Sequence, residues 1–377
     1  MVNKNTFLLV FVLLSLSTLL VTAQQGKGIL TTSGHNNIER ASKSDGNVSI
    51  KIKNNGMNLD VHGQIKLSDD DKRITELSKD GKINYSIKNK RLEVFSDKNG
   101  KIVYRINGTE TELLSASDED LLAECIQILI NQGIYGKERA IRIYNKKGIH
   151  AVLKETANFS SDYTKQIYLS ELLRQDISNA HRSDVLNNID QYVASDYYKA
   201  EIIGGVMDNA LKDDHSFDAY LAVVSNMESA YYKQQTIQKL FTNKLNDKQF
   251  EKVIRITANI NSDYHQAEVL SMLLKTNDLN STKAKLTLEN LAHINSDYHK
   301  AEVLKKMITS NKLDTEGWKQ TIALTDIIQS DYHQAEVLKA IIKNMPANAD
   351  LNTAVRGKAK NIKSNHHYGE IMRQLEN

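Results

Sequence analysis

A chain of 377 residues has room for about two domains and a substantial core. Its 40% hydrophobic and 25% charged content is that of a globular protein, and 49 basic against 46 acidic residues leave a formal charge of only +3. That balance lacks the basic surplus of nucleic-acid binders, so no nucleic-acid partner is expected.

The chain opens with "MVNKNTFLLVFVLLSLSTLLVTAQQ", a lysine near the start, an apolar run and then Val21-Thr22-Ala23. Small or permissive residues at both cleavage positions predict a signal peptide over 1–23, cut after Ala23, and a secreted or periplasmic product. The alternative is a retained anchor, since Thr6 to Ala23 is near the minimum for a span. No later segment is apolar enough to cross a bilayer, so no membrane span is expected once the signal is removed. Residues 24–46 are polar without a period and are expected to be a flexible leader. The single cysteine, Cys125, rules out an internal disulfide and sits among apolar residues in "LLAECIQILI", where it reads as a small buried hydrophobe.

From Asn47 the pattern alternates. Val48, Ile50 and Ile52 share one face, as do Leu59 and Val61, then Ile83, Tyr85 and Ile87, then Leu92 and Val94. Asp80-Gly81, Asn99-Gly100 and Asn107-Gly108 stand where hairpins need positive φ. The spacing predicts an antiparallel β meander of five or six strands over 47–114. Its apolar face must be covered by a second layer or by the helices that follow. Helical periods then begin, with two capping helices expected over 115–147.

From 148 to 377 the chain repeats. Ser161, Ser195, Ser229, Ser262, Ser296, Ser330 and Ser364 are spaced 34, 34, 33, 34, 34 and 34 residues apart. Two residues before each serine stands Phe159, Val193, Met227, Ile260, Ile294, Ile328 or Ile362. Eight after it stands Leu169, Ile203, Ile237, Leu270, Leu304, Leu338 or Met372. A fixed period of this length predicts an α-solenoid of helix–turn–helix units, each burying its apolar face against its neighbours. The overall fold class is therefore α+β. Serine opening a helix is N-cap chemistry. Tyr264, Ala267, Leu270, Leu273 and Leu274 are expected on one buried stripe, which would bury Tyr264, Tyr298 and Tyr332 between repeats and leave His299 on the surface. Trp318 is expected to pack between repeats.

The period resembles that of tetratricopeptide repeats, without that family's Trp–Leu–Gly–Tyr signature or its closing proline. The segment "VHGQIKLSDDDKRITELSKDGKINYS" followed by "SDY" helical repeats resembles the extracytoplasmic part of bacterial membrane proteins related to β-lactam-sensing metallopeptidases. The resemblance implies an envelope sensor or interaction region. It does not carry peptidase activity here, because the His-Glu-x-x-His motif is absent.

No catalytic residue and no cofactor is predicted. The expectation is a non-enzymatic interaction module with a protein or peptide partner. The alternative is an envelope enzyme or metal-dependent binder built on the pairs His265/Glu268, His299/Glu302 and His333/Glu336, whose i,i+3 spacing puts both side chains on neighbouring parts of one helix face.

Overall fold

The computed structural model describes residues 37–42, 48–54, 56–206, 213–242, 244–277, 280–310 and 313–376. The segment expected as a signal peptide lies outside them. The chain forms two compact units, Met1–Tyr135 and Gly136–Asn377. The division falls inside the span 115–147, so the first helix goes with the sheet and the second with the repeats.

The first unit holds β1 (Asn37–Ser42), β2 (Val48–Asn54), β3 (Met57–Gly63), β4 (Ile65–Leu67), β5 (Ile74–Leu77), β6 (Lys82–Ile87), β7 (Lys90–Ser96), β8 (Ile102–Ile106), β9 (Thr109–Thr111) and helix α1 (Ala116–Asn131). Seven strands form one antiparallel sheet in the order β1-β2-β3-β6-β7-β8-β9, and β4 pairs with β5 separately. The meander is as expected, with more strands than the five or six counted. Strand β1 lies in the segment expected to be a flexible leader and pairs with β2 from Asn37↔Lys53 to Ser42↔Val48. An edge strand is held by backbone hydrogen bonds on one side, so it needs no apolar period to announce it.

Register aligns Val61 with Ile83 and Ile83 with Val94, and Leu59 with Tyr85 and Tyr85 with Leu92. All of these are buried, as are Leu122, Cys125, Ile126 and Leu129 of α1. The Tyr85 phenol lies beside Glu124 and Cys125 of α1; burial and then the Glu124 carboxylate push its pKa well above the usual range. Asn107 (φ 49), Gly108 (φ 90) and Gly100 (φ 84) adopt the left-handed backbone expected of them. Gly81 does not. It follows the β4–β5 pair rather than closing a tight hairpin, and glycine is needed there because a Cβ would stand 2.8 Å from the Ser78 carbonyl oxygen.

The second unit is a stack of helix pairs. One layer holds α2 (Gly136–Lys147), α4 (Asp162–Arg174), α6 (Asp196–Ile203), α8 (Ala230–Lys239), α10 (Asp263–Thr276), α12 (Asp297–Ser310), α14 (Asp331–Asn344) and α16 (Asn365–Glu376). The other holds α3 (Ile149–Ala157), α5 (Asn179–Tyr192), α7 (Asp214–Ser225), α9 (Asp247–Thr257), α11 (Ser281–Leu291), α13 (Thr315–Ala323) and α15 (Ala349–Ala359). Each helix packs on its counterparts in adjacent repeats. The residue two before each serine is buried in all seven repeats. The residue eight after it is fully buried in six; Met372, on the terminal helix, is half-buried. Trp318 is buried, as expected.

Candidate functional site: the repeat edge

The turns that open the even-numbered helices line up along one edge of the second unit. Ser161, Ser229, Ser262 and Ser330 accept, through Oγ, the backbone N–H three residues on. Ser296 and Ser364 do the same for His299 and His367. This is the predicted N-cap in six of the seven repeats; Ser195 stands at the cap position without that bond.

The aspartate beside the cap works across repeats. Asp162 Oδ2 accepts from the N–H groups of Ala194 (2.9 Å) and Ser195 (2.7 Å) in the next turn. Asp196 does so for Glu228 and Ser229, Asp263 for Asn295 and Ser296, Asp297 for Gln329 and Ser330, and Asp331 for Ser364. Three residues further along, Lys165, Lys233 and Lys300 donate to Tyr192, Asn259 and Ile327 carbonyls at the end of the next helix in the other layer. Gln266 does the same to Asn290, whereas Gln334 donates back to the Thr325 carbonyl of its own repeat. Successive repeats are thus tied by anionic acceptors, and at Lys165, Lys233, Gln266 and Lys300 also by a donor that satisfies carbonyls at the end of the next helix.

The chain breaks this pattern once. Position 230 is alanine, and the step from Ser229 to Ser262 is the one of 33 residues. With no carboxylate behind it, the Ser262 N–H bonds to Ile260 O within its own turn at 2.8 Å. Its φ is −164° where Ser161, Ser195, Ser229 and Ser330 have −72° to −93°. Lys233, buried and without the aspartate that Lys165 and Lys300 find three residues earlier, is held below the usual lysine range by burial.

Along the same edge runs an unbroken zigzag of rings. Tyr163 meets Tyr198, Tyr197 meets Tyr198 and Tyr232, and Tyr231 meets Tyr232 and His265. The series continues through Tyr264, His299, Tyr298, His333, Tyr332 and His367 to His366, with centroids 5.0–5.9 Å apart. These are edge-on or tilted contacts, the favourable geometry for aromatic pairs. Tyr231, Tyr264, Tyr298 and Tyr332 remain 52–54% exposed, whereas His265, His299 and His333 are half-buried.

That overturns the expectation that Tyr264, Tyr298 and Tyr332 are buried between repeats. Steps of three residues fall about 60° short of a full helical turn, so Tyr264 lies about 120° around from Leu270 and off the packed stripe. The outward ring lies over the edge, and the following histidine fills the space between neighbouring tyrosines. Adjacent aromatic residues at Tyr197-Tyr198 and Tyr231-Tyr232, in the same places as Tyr264-His265, were the readable signal of such a ladder.

The pairs His265/Glu268, His299/Glu302 and His333/Glu336, the alternative metal site, are not brought together with a third metal-binding side chain among the described residues. The histidine of each pair is taken up between the rings of the ladder, and His265 Nδ1 also meets Gln234. Glu268 is exposed, Glu302 pairs with Lys305 at 2.5 Å, and Glu336 with Lys339 at 2.6 Å. Among the described residues, ligand atoms of three metal-binding side chains come within 4.8 Å of one another at two places: His150, His181 and Asp184, and His366, His367 and Glu370. Neither set contains His265, Glu268, His299, Glu302, His333 or Glu336. In the second, His367 Nδ1 lies 3.2 Å from Glu370 Oε2, a contact that lowers the Glu370 pKa. An open cavity of about 370 Å³ adjoins the ladder, lined by Ser195, Asp196, Tyr197, Lys199, Asn226, Glu228 and Tyr232 among others.

No helix among the described residues is long and apolar enough to cross a membrane. No family model matches the chain, and no curated protein does. Among solved structures, a computationally designed self-assembling cyclic homo-oligomer aligns with 68% of this chain and 93% of its own. The identity is 16% and the TM-score 0.15, too low to show a shared fold.

Proposed function

We propose that the chain is an exported, non-enzymatic interaction module whose aromatic edge receives a protein or peptide partner. The observation that carries this reading is the set of four tyrosines, each more than half exposed, at one position of four consecutive repeats. Each is braced by a ring on either side, histidines except for Tyr232 beside Tyr231. A tyrosine offers broad amphipathic contact at small entropic cost, and bracing lowers that cost further. Repeat stacks commonly present extended binding surfaces; for this chain that argument is by analogy of fold. Export rests on the apolar run and the Val21-Thr22-Ala23 ending. A role in envelope sensing or signalling rests on the resemblance carried by the β segment and the "SDY" repeats.

The test is affinity capture from the native envelope fraction with the parent and with a variant carrying serine at Tyr231, Tyr264, Tyr298 and Tyr332. A partner retained by the parent and lost by the variant, at unchanged helix content, is the expected result. Equal retention by both would remove the aromatic edge as the binding surface. Amino-terminal sequencing of the native product should begin at Gln24; an intact Met1 on a membrane-bound product would overturn cleavage.

A further inference from the structure

We propose that His150, His181 and Asp184 form a binding site for a divalent transition-metal ion of the zinc, nickel and copper class, away from the aromatic edge. His150 is the second residue of α3, while His181 and Asp184 stand three apart on α5, the helix α3 packs against. Their ligand atoms lie within 4.8 Å of one another. The two imidazole centroids are 5.8 Å apart with planes at 88°. Two imidazoles bound to one ion at about 2.0–2.1 Å place their centroids about 5 Å apart, so modest side-chain rotation closes the site.

None of the three side chains has another hydrogen-bond or ion-pair partner among the described residues, so an ion would displace no existing bond. The rest of the structure shows what a pre-empted version looks like. One repeat further on, His215 and Asp218 take the places of His181 and Asp184, but Lys252 holds the Asp218 carboxylate. At the C-terminal cluster, Lys339 lies 3.4 Å from Glu370 and His366 is 73% exposed. Two imidazoles with one carboxylate suit zinc, nickel or copper rather than magnesium or calcium, which prefer all-oxygen shells. Asp184 supplies one negative charge against the weak opposition of the two helix N-termini. Exposed His150 leaves the remaining coordination positions to water or a small ligand. The ion would join the first two repeats.

The experiment is calorimetric titration of the full chain, made without a polyhistidine tag, with Zn²⁺ at pH 7.5. One saturable site with Kd of about 1 μM or tighter is expected. His150→Ala and Asp184→Asn should each weaken it by at least about tenfold, and His366→Ala/His367→Ala should leave it unchanged. Electron paramagnetic resonance of the Cu²⁺-loaded parent should show coupling to two ligand nitrogens, falling to one in His150→Ala. Binding that survives both variants, that is lost only with the C-terminal histidines, or that fails to saturate would overturn the proposal. Should a variant not fold, absence of two-nitrogen coupling in the parent does so by itself.

Discussion

Ala230→Asp should make this protein more stable. The aspartates at the same place in other repeats each accept N–H groups of the following turn at 2.7–3.1 Å. A hydrogen bond to a charged acceptor contributes about 1.5–3 kcal/mol. To use it, Ser262 must give up its bond to Ile260 O, worth about 0.5–1.5 kcal/mol, and relax from φ −164° towards the value of the other caps. A carboxylate in the first turn of α8 adds about 0.3–1 kcal/mol. The net expectation is a gain of about 1–2 kcal/mol, read as a higher urea midpoint by far-UV circular dichroism.

The variant should also change the pH dependence. Burial holds the folded Lys233 pKa below its unfolded value, so the unfolded chain binds more protons between the two. Parent stability therefore carries a component that rises with pH from the folded pKa to the unfolded value near 10.4. A carboxylate three residues from Lys233 should shrink that rise. Asp297→Ala is the control, with an expected loss of about 1.5–3 kcal/mol as Gln329 and Ser330 lose their acceptor. If the control loses stability while Ala230→Asp gains none, the one-residue shortening of the third repeat, not the missing carboxylate, sets the geometry of that turn. If neither moves the midpoint, the aspartate ties hold nothing together.

Tyr298→Ala should cost only about 1 kcal/mol, the loss of ring contacts from a half-exposed side chain, whereas Leu304→Ala should cost about 2–5 kcal/mol; urea melts of the pair that reverse the order would refute the outward placement of the tyrosines. Cys125 is fully buried, and burial pushes its thiol pKa well above the usual range, so a thiol reagent should modify it only as the first unit opens, at a rate that rises with urea. Immediate modification in native buffer would show that the face of α1 carrying Cys125 is not covered.

The repeat boundaries, the serine caps and the buried residues flanking them were legible in the sequence, because helix period and cap chemistry are local and recur at a fixed step. The turn at Asn107-Gly108 was legible for the same reason: positive φ selects those residues wherever they stand. The edge strand Asn37–Ser42 was not, since its pairing is made by backbone groups common to every residue. Nor was the reach of Asp263 to Asn295 and Ser296, where a side chain beside a cap reads as part of that cap until the next turn is brought to it. His150 lies thirty-one residues before His181, and their rings meet because α3 and α5 pack as neighbours. Periodicity in one chain reports which side of a helix is apolar. Which polar groups of two repeats share a few ångströms depends on how those apolar sides interlock, and that only the packed structure decides.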